Sequence, residues 1–332
     1  MAAEDGAYNV IHNFMKLDNN DVLTIVTDQE ALPIAHIFSK VARPVVKEII
    51  LFVMEDFGPR DNPDNPLKFP DEIREAMKRS TCSMYAADIK PGEYGSFRKP
   101  MGLFVQERKM KHAHMPLVKM ELLEHGMTVN VDELRKLTDW VTEQVRGCKE
   151  VKVTCPLGSN ITIELDPKVP WIPENGEIKA GMIENYPNGE VFTAPKSATG
   201  TVFFSTLGDH FPKYGPRIND PLVVTYKHGK IVEAKCNNED LIADFNEYIK
   251  RDEFANFIGE LGLGTNLACT EPINNLLQDE KMIGVHIASG HAYPEYTGVQ
   301  RHSSTHLDGV IVKPTVVVDG KMIMKDGQYL NE

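Results

Sequence analysis

The sequence Val285-His-Ile-Ala-Ser-Gly-His-Ala-Tyr293, followed closely by His306-Leu-Asp308, sets the structure and chemistry expected of the C-terminal half. Four of the chain's eleven histidines fall between His286 and Asp308. The apolar residues around His286 predict a strand, and the i, i+2 spacing of His306 and Asp308 places both side chains on one face of a second strand. Neutral imidazole and carboxylate are ligands of zinc, cobalt, manganese and iron. The stretch therefore indicates a metal site, with a solvated histidine-rich loop or ordinary core histidines as the alternative.

The composition is that of a globular protein with a sizeable core. The 332 residues suggest one large or two ordinary domains, and 36 basic against 48 acidic residues give a formal charge of −12. This acidity argues against nucleic acid or an anionic membrane as a partner, and no apolar run reaches the length of a membrane span. The N-terminus lacks the apolar core of a secretory signal, and the five cysteines form no Cys-x-x-Cys pair. We therefore expect a cytoplasmic protein with reduced thiols.

The N-terminal half alternates predicted strands with predicted helices. Strands are expected at Val22–Thr27, Glu48–Met54 and Cys82–Ala87, the second of them buried on both faces. Asp28 is expected to cap a helix after the first strand, and Asp71–Arg79 is expected to form another helix. This order implies a parallel sheet with right-handed crossovers. No glycine-rich phosphate-binding pattern follows the first two strands, so no nucleotide site is predicted.

The segment Gly95–Pro116 is less regular, is rich in basic residues and contains His112 and His114. One interpretation is a solvated helix face. The other is that His112 or His114 borders a substrate cleft between the two halves of the chain, since ligands commonly bind between domains. The residues alone leave both interpretations open.

The sequence pattern changes near Glu150. Before it, an amphipathic helix from Val131 up to Gly147 carries its apolar residues in one stripe. After it come short alternating strands and one clear helix at Asn238–Arg251. The strands are predicted at Val151–Cys155, Asn160–Leu165, Thr199–Ser205, Leu222–Tyr226 and Lys230–Lys235. We therefore predict an α/β protein in which residues 1–148 form an N-terminal parallel-sheet α/β domain and residues 149–332 form a strand-rich α+β metal-binding domain.

Two acidic residues stand in unusual surroundings in the C-terminal half. Glu190 follows a turn and begins an apolar stretch, and Glu260 is the only charged residue in the glycine-rich segment Phe257–Asn266. A buried carboxylate must be paired or bound to a metal, so both residues are candidate ligands. The alternative for each is an exposed acid in a turn.

Four motifs of the chain occur in the order found in one family of metallopeptidases. They are Glu190-Val-Phe-Thr-Ala-Pro195, Gly259-Glu260-Leu261, His286-Ile-Ala-x-Gly-x-Ala-Tyr293 and His306-x-Asp308. From near Glu150 to near Leu330, the sequence resembles the aminopeptidase T family of thermophilic, leucyl-aminopeptidase-type metallopeptidases. The resemblance implies an N-terminal α/β domain, a homodimer and a peptide or amide substrate.

The resemblance also implies a site with two divalent metal ions, zinc, cobalt or manganese. Its ligands would be Glu190, Glu260, His286, His306 and Asp308, with Tyr293 as a catalytic residue. His291 and His302 would lie outside this ligand set. In such a site a carboxylate, Asp308 or Glu190, bridges the ions, and a bound water becomes the nucleophile. A tyrosine hydroxyl can stabilise the oxyanion, and Glu260 would carry a proton only if it is not fully engaged with metal.

Two other functions stay open. A related branch of the fold contains non-haem iron(II) dioxygenases that open dihydroxypyridine rings, and His286, His306 and Asp308 would be a facial ligand set for iron. Members of that branch keep the His-x-Asp pair, but they carry histidine in place of Glu260 and lack the ligands that match Glu190 and His286. The remaining alternative is a catalytically silent metal-binding homologue.

Overall fold

The computed structural model describes residues 2–208 and 211–331. The helices are α1 Ala2–Tyr8, α2 Leu32–Ala42, α3 Asp71–Lys78, α4 Lys99–Arg108, α5 Met120–Glu124, α6 Val131–Val145, α7 Glu239–Tyr248, α8 Leu276–Asp279 and α9 Pro294–Thr297. Shorter π or 3-10 segments cover Asn9–Phe14, Met54–Phe57, Tyr94–Arg98, Gly126–Thr128 and Phe211–Tyr214. Within the described ranges, no helix combines the length and apolarity that a membrane crossing requires.

The strands form one parallel and two antiparallel sheets. In chain order they are β1 Val22–Thr27, β2 Glu48–Val53, β3 Cys82–Ala87, β4 Lys111–Pro116, β5 Glu150–Thr154, β6 Asn160–Glu164, β7 Ile172–Glu174, β8 Ile183–Asn185, β9 Glu190–Thr193, β10 Ser197–Phe204, β11 Thr206–Leu207, β12 Leu222–Lys227, β13 Lys230–Lys235, β14 Ile258–Gly264, β15 Gly284–Gly290, β16 His306–Ile311, β17 Thr315–Val318, β18 Lys321–Lys325 and β19 Gln328–Tyr329. The predicted α/β class, with a parallel N-terminal sheet and a strand-rich C-terminal half, is confirmed.

The chain forms two compact units. Unit 1 comprises the chain up to Val131 together with Gly176–Asn188, and unit 2 comprises Asp132–Asn175 together with the chain from Gly189 onwards. These limits differ from the predicted division after residue 148, because α6 packs its apolar stripe into the core of unit 2 and a later segment returns to unit 1. The assignment of the chain to two functional domains stays a prediction.

Unit 1 is built on a parallel sheet with strand order β2-β1-β3-β4-β8. Strands β1 and β3 are central and buried along their whole length, which explains their nearly continuous apolar sequences. Strand β2 was expected to be buried on both faces, but it is an edge strand whose residues are only partly covered. Asp28 does not cap α2 directly, because its carboxylate accepts the backbone N–H of Ala31 one residue before that helix begins.

The basic segment before Pro116 is only partly helical. Helix α4 ends at Arg108, and β4 then places His112 in the interior of the parallel sheet. The Nδ1 of His112 lies 2.9 Å from the Ser83 hydroxyl on β3, and burial lowers the pKa of His112 to about 3. The interpretation as a solvated helix face is therefore wrong for β4, because this stretch is a strand paired with β3 on one side and β8 on the other.

Unit 2 contains the two antiparallel sheets. The eight-stranded sheet has the order β13-β12-β10-β6-β5-β17-β18-β19, and the six-stranded sheet has the order β11-β16-β15-β14-β9-β7. Apolar residues of α6 and α7 share one core with the inward residues of both sheets. Helix α7 begins after Asn238, whose side chain accepts the N–H of Leu241 at 2.9 Å. This core holds β9, β14, β15 and β16, the strands that carry the predicted ligands.

Candidate metal centre

One face of the six-stranded sheet collects all five predicted ligands. Directly opposed residues on neighbouring strands point to the same face, as do residues two apart along a strand. The opposed pairs are Glu190–Gly264, His286–Gly262, Glu260–Ala288, Asp308–Ala288 and His306–Gly290. Each predicted ligand therefore lies opposite a glycine or an alanine on one neighbouring strand, and these small residues leave room for its side chain to turn towards the others.

Gly262 illustrates how tight this arrangement is. A Cβ atom at this position would lie 2.0 Å from the imidazole of His286, a distance that real atoms do not adopt. The ring of His286 therefore occupies the space above Gly262, and it extends across β14 to reach the carboxylates beside it. Glycine at this position is a steric requirement of the site.

The first group of ligand atoms consists of Glu190, Glu260 and His286. The Nε2 of His286 lies 3.0 Å from Glu260 Oε1 and 3.1 Å from Glu190 Oε2. All three side chains are buried. Burial by itself lowers the pKa of His286, but the two carboxylates outweigh it and raise that pKa well above its usual value.

The second group consists of Glu260, His306 and Asp308. The Nε2 of His306 lies 3.2 Å from Asp308 Oδ2 and 3.6 Å from Glu260 Oε2. Burial lowers the pKa of His306, but Asp308 outweighs it and raises the pKa to about 10. Glu260 thus belongs to both groups and directs a different carboxylate oxygen towards each histidine.

Neighbouring polar groups fix the orientation of His306. Its Nδ1 lies 2.9 Å from the backbone carbonyl of His291 and must donate to it, because a carbonyl only accepts hydrogen bonds. The backbone N–H of His306 donates to the hydroxyl of Tyr248 at 3.0 Å. This pattern leaves Nε2 directed at the carboxylates, as is typical of metal-binding histidines whose other nitrogen is held by the protein.

The chemistry of these residues fits a divalent cation. Among the described residues, the buried oxygens Glu190 Oε2 and Asp308 Oδ1 have no hydrogen-bond partner. Buried carboxylate oxygens without a partner are costly, and they are uncommon where no ion is bound. Carboxylate oxygen and imidazole nitrogen together are ligands for zinc, cobalt, manganese and iron.

Tyr293 lies beside these ligands at the start of α9. Its backbone is left-handed, with φ 47° and ψ 62°, and its carbonyl accepts the N–H of Thr297. The ring centroid lies 4.7 Å from that of His306 and 6.0 Å from that of Phe192. Burial and the nearby carboxylate of Glu260 raise the pKa of Tyr293 well above its usual value. The hydroxyl therefore stays protonated and is a hydrogen-bond donor.

The other histidines singled out in the sequence lie apart from the ligand groups. As far as the structure describes the chain, neither group includes His291, His302, His112 or His114. The ring of His291 lies near Glu295, and His302 is exposed. His112 and His114 lie on β4 of unit 1, with 3.2 Å between Nε2 of the first and Nδ1 of the second. Their place beside a substrate cleft stays a prediction.

Lys281 is the residue near this site that the sequence analysis did not identify. Its side chain is 1% exposed, and its ammonium contacts Glu190 Oε1, Glu280 at 3.0 Å and Glu174 at 3.2 Å. Lysine is normally exposed, so a lone lysine gives little signal. The one indication was its position three residues before the buried strand that carries His286.

The comparisons with known proteins agree with this geometry. The sequence model of the family Peptidase_M29, thermophilic metalloprotease (M29), matches residues 129–329. No curated protein sequence gives a significant match. The family is one of metal-dependent hydrolases, and the matched region contains every predicted ligand.

Two solved structures share the fold over nearly the whole chain. The 2,5-dihydroxypyridine dioxygenase of Pseudomonas putida KT2440 is 14% identical, with a TM-score of 0.72 over 99% of this chain and 97% of that one. Wild-type AmpT from Thermus thermophilus is 16% identical, with a TM-score of 0.71 over 99% of each chain. At these identities the two structures establish the fold, and the family match covers more than half of the sequence. The chain therefore belongs to the M29 family of thermophilic metalloproteases.

Proposed function

We propose that this protein is a metal-dependent aminopeptidase that releases N-terminal amino acids from small peptides and amides. It would use two divalent ions, zinc, cobalt or manganese. The observation that carries the proposal is the sharing of Glu260 between two ligand groups, each of which also has one histidine and one further carboxylate. Two metal ions held by a common carboxylate are a recurring arrangement in aminopeptidases.

Each ligand has a definite part in this proposal. Glu190 and His286 would hold one ion, His306 and Asp308 the other, and Glu260 would offer one oxygen to each. When bound, such ions polarise the scissile carbonyl and acidify a water molecule for attack. Glu260 is thus a better candidate for the bridging carboxylate than Asp308 or Glu190. With both oxygens facing ligand groups, it is poorly placed to carry a proton to the leaving amine.

Tyr293 is proposed as a donor to the oxyanion that develops on the substrate. Its ring packs against His306, and its protonated hydroxyl is the kind of group that stabilises such a charge. The turn that holds it is fixed by Thr297, whose hydroxyl donates to the Ala292 carbonyl at 2.7 Å. A fixed backbone favours catalysis because the hydroxyl needs no reorganisation during the reaction.

The proposed activity is tested with pairs of substrates. Protein stripped with a chelator and reloaded with zinc, cobalt or manganese is assayed on amino-acid amides and short peptides, each beside its N-acetylated counterpart. We expect metal-dependent hydrolysis of the free amines only. Equal cleavage of acetylated substrates would contradict the aminopeptidase assignment. Tightly bound iron with oxygen consumption on dihydroxypyridines would favour the iron(II) dioxygenase, and absence of tight metal would favour a catalytically silent homologue.

We further propose that the protein is a cytoplasmic homodimer. The support is the resemblance to the aminopeptidase T family, together with the cysteines Cys82, Cys148, Cys155, Cys236 and Cys269, which are free thiols. Light scattering at micromolar concentration should give twice the mass of the 37.3 kDa chain. A monomer mass would contradict the dimer and leave the proposed activity untouched.

A further inference from the structure

Backbone hydrogen bonds fix the position of Lys281 independently of the contacts of its side chain. Its N–H donates to the Gln278 carbonyl at 2.9 Å, and its carbonyl accepts the N–H of Asn266 at 2.9 Å. These bonds fix the residue just ahead of β15, the strand that carries His286. The side chain then extends into the interior, where it is 1% exposed.

The two carboxylate oxygens of Glu190 have different surroundings, because only one of them contacts Lys281. Oε1 accepts a short hydrogen bond from the ammonium. Oε2 lies 3.1 Å from the Nε2 of His286 and, within the described part of the chain, has no hydrogen-bond partner. An ammonium has three donors and no acceptor, so it fixes one oxygen and leaves the other directed away from it.

The surrounding charge explains why a buried cation is needed at this position. Glu174 and Glu280 contact the same ammonium, and Glu174 lies directly opposite Glu190 in the sheet. Three buried or partly buried carboxylates thus contact one lysine in this part of unit 2. Without Lys281, Glu190 would face the like charge of Glu174 and would keep only the contact of Oε2 with His286 to orient it.

We propose that Lys281 is a positioning residue of the metal centre, which holds Glu190 Oε1 so that only Oε2 is offered to the ion shared with His286. This inference rests on the proposed two-ion site and adds to it the residue that sets how Glu190 binds. Groups that orient metal ligands typically contribute 10–100-fold to metal affinity. Lys281 acts through Glu190 and touches neither the substrate nor the reacting atoms.

The test measures zinc affinity, because activity alone would not separate positioning from stability. Wild-type protein, Lys281→Met and Lys281→Arg are stripped of metal and titrated with Zn²⁺ against a chromophoric chelator, and the thermal midpoint of each metal-free protein is recorded. We expect Lys281→Met to weaken the binding of one of the two zinc ions by ~10–100-fold and to leave the affinity for the other unchanged. Lys281→Arg, which keeps the charge, should recover part of the loss.

Two further variants isolate the path through Glu190. Glu174→Gln removes another partner of the same ammonium and should leave both zinc affinities close to those of the wild type. Lys281→Met should have no further effect on zinc affinity in a Glu190→Gln background, because coupled residues are not additive. If Lys281→Met alone does not fold, this double variant, which removes both charges, is compared with Glu190→Gln.

The outcomes separate this inference from the proposed function. Unchanged zinc affinities in Lys281→Met, with only a lowered thermal midpoint, would overturn the positioning role and leave the two-ion site intact. A double variant weaker than Glu190→Gln would also overturn it. Wild-type protein that binds no zinc would instead overturn the proposed function itself.

Discussion

Two buried charge clusters, one in each unit, show how a structural site differs from a site for a ligand. In unit 1, Arg60 is 3% exposed and lies near the carboxyl ends of β1 and β3. Its five N–H groups meet Asp28, both oxygens of Glu93, Glu55 and the Asp88 carbonyl, at 2.6–3.2 Å. In unit 2, the carboxylates of the metal centre keep buried oxygens without a partner among the described residues.

Both clusters are buried, but they differ in how completely their polar atoms are hydrogen-bonded. We infer that this completeness of hydrogen bonding, more than burial, decides which cluster needs an ion. A guanidinium offers five donors, and all five are used in unit 1. The cluster therefore closes on itself at an edge of a parallel sheet where many α/β proteins bind ligands. In unit 2, Asp308 Oδ1 has no hydrogen-bond partner among the described residues, and Glu190 Oε2 faces the Nε2 of His286, a nitrogen whose hydrogen bond goes to Glu260. In the proposed function, a divalent cation completes this second cluster.

The largest expected effect comes from breaking the residue shared by the two ligand groups. Glu260→Gln removes a ligand that both groups use, so metal-dependent hydrolysis should fall by more than the ~10–100-fold typical of residues that only orient ligands. The measurement is kcat/KM on an amino-acid amide at saturating metal. Activity within threefold of the wild type would remove Glu260 from the site, and a thermal midpoint measured in parallel controls for misfolding.

Tyr293→Phe should give the next largest change, and it should affect turnover alone. Losing one oxyanion donor costs ~10²–10³ in kcat, while KM should change little because the bond forms mainly in the transition state. Metal content serves as the control and should stay at the wild-type value. Turnover near that of the wild type would exclude the hydroxyl from the reaction.

Arg60→Met tests whether the charge cluster in unit 1 is purely structural. It leaves Asp28 and Glu93 buried without their cation, and breaking a buried pair in this way costs about 3–5 kcal/mol. Urea unfolding should register that loss, while zinc affinity should not change, because the cluster is complete without metal. A variant as stable as the wild type, or one with altered zinc affinity, would contradict the division into a structural cluster and a ligand site.

The smallest effect concerns Asp252, which anchors the segment leading to His306. Its carboxylate accepts the Ser303 hydroxyl at 2.8 Å and the Ser304 N–H at 2.7 Å. Burial raises the pKa of Asp252, but the hydrogen bonds of Ser304 and Ser303 lower it to about 2. The folded state thus favours the ionised form, so its contribution is fully present above the unfolded value near 3.8 and is lost as the pH falls towards 2.

We therefore expect Asp252→Asn to reduce the free energy of unfolding by ~1 kcal/mol at pH 6, a value discounted for solvent screening. The difference in the free energy of unfolding between the variant and the wild type should shrink as the pH falls from 4 to 3. Urea unfolding of both proteins at the two ends of that range measures it. A difference that grows towards acid would show that the sign of the pKa shift is wrong.

Much of this fold follows from local patterns in the sequence. The apolar runs at β1 and β3 and the stripe of α6 identify those elements because burial and periodicity leave a direct trace. The edge position of β2 and the addition of β8 to the parallel sheet leave no such trace. Both depend on contacts between residues far apart in the chain, and β8 has only three residues.

The candidate site divides in the same way. Unusual carboxylates and histidines at motif spacing predicted five candidate ligands, and the sheet register brings these five residues to one face. Their role as metal ligands stays a prediction. Lys281 was missed because its importance lies in the carboxylates that contact it, two of which, Glu174 and Glu190, come from strands far away in the chain. The placing of a small residue opposite every ligand, such as Gly262 opposite His286, likewise appears only once the register is known.

The central claim is that Glu260 joins two ion sites, and metal stoichiometry tests it most directly. Wild-type protein, His286→Ala, His306→Ala and Glu260→Gln are loaded with zinc, dialysed and analysed for metal per folded chain. We expect two ions in the wild type, one in each histidine variant, and loss of both in Glu260→Gln. One ion in the wild type, or loss of the same single ion in all three variants, would contradict it.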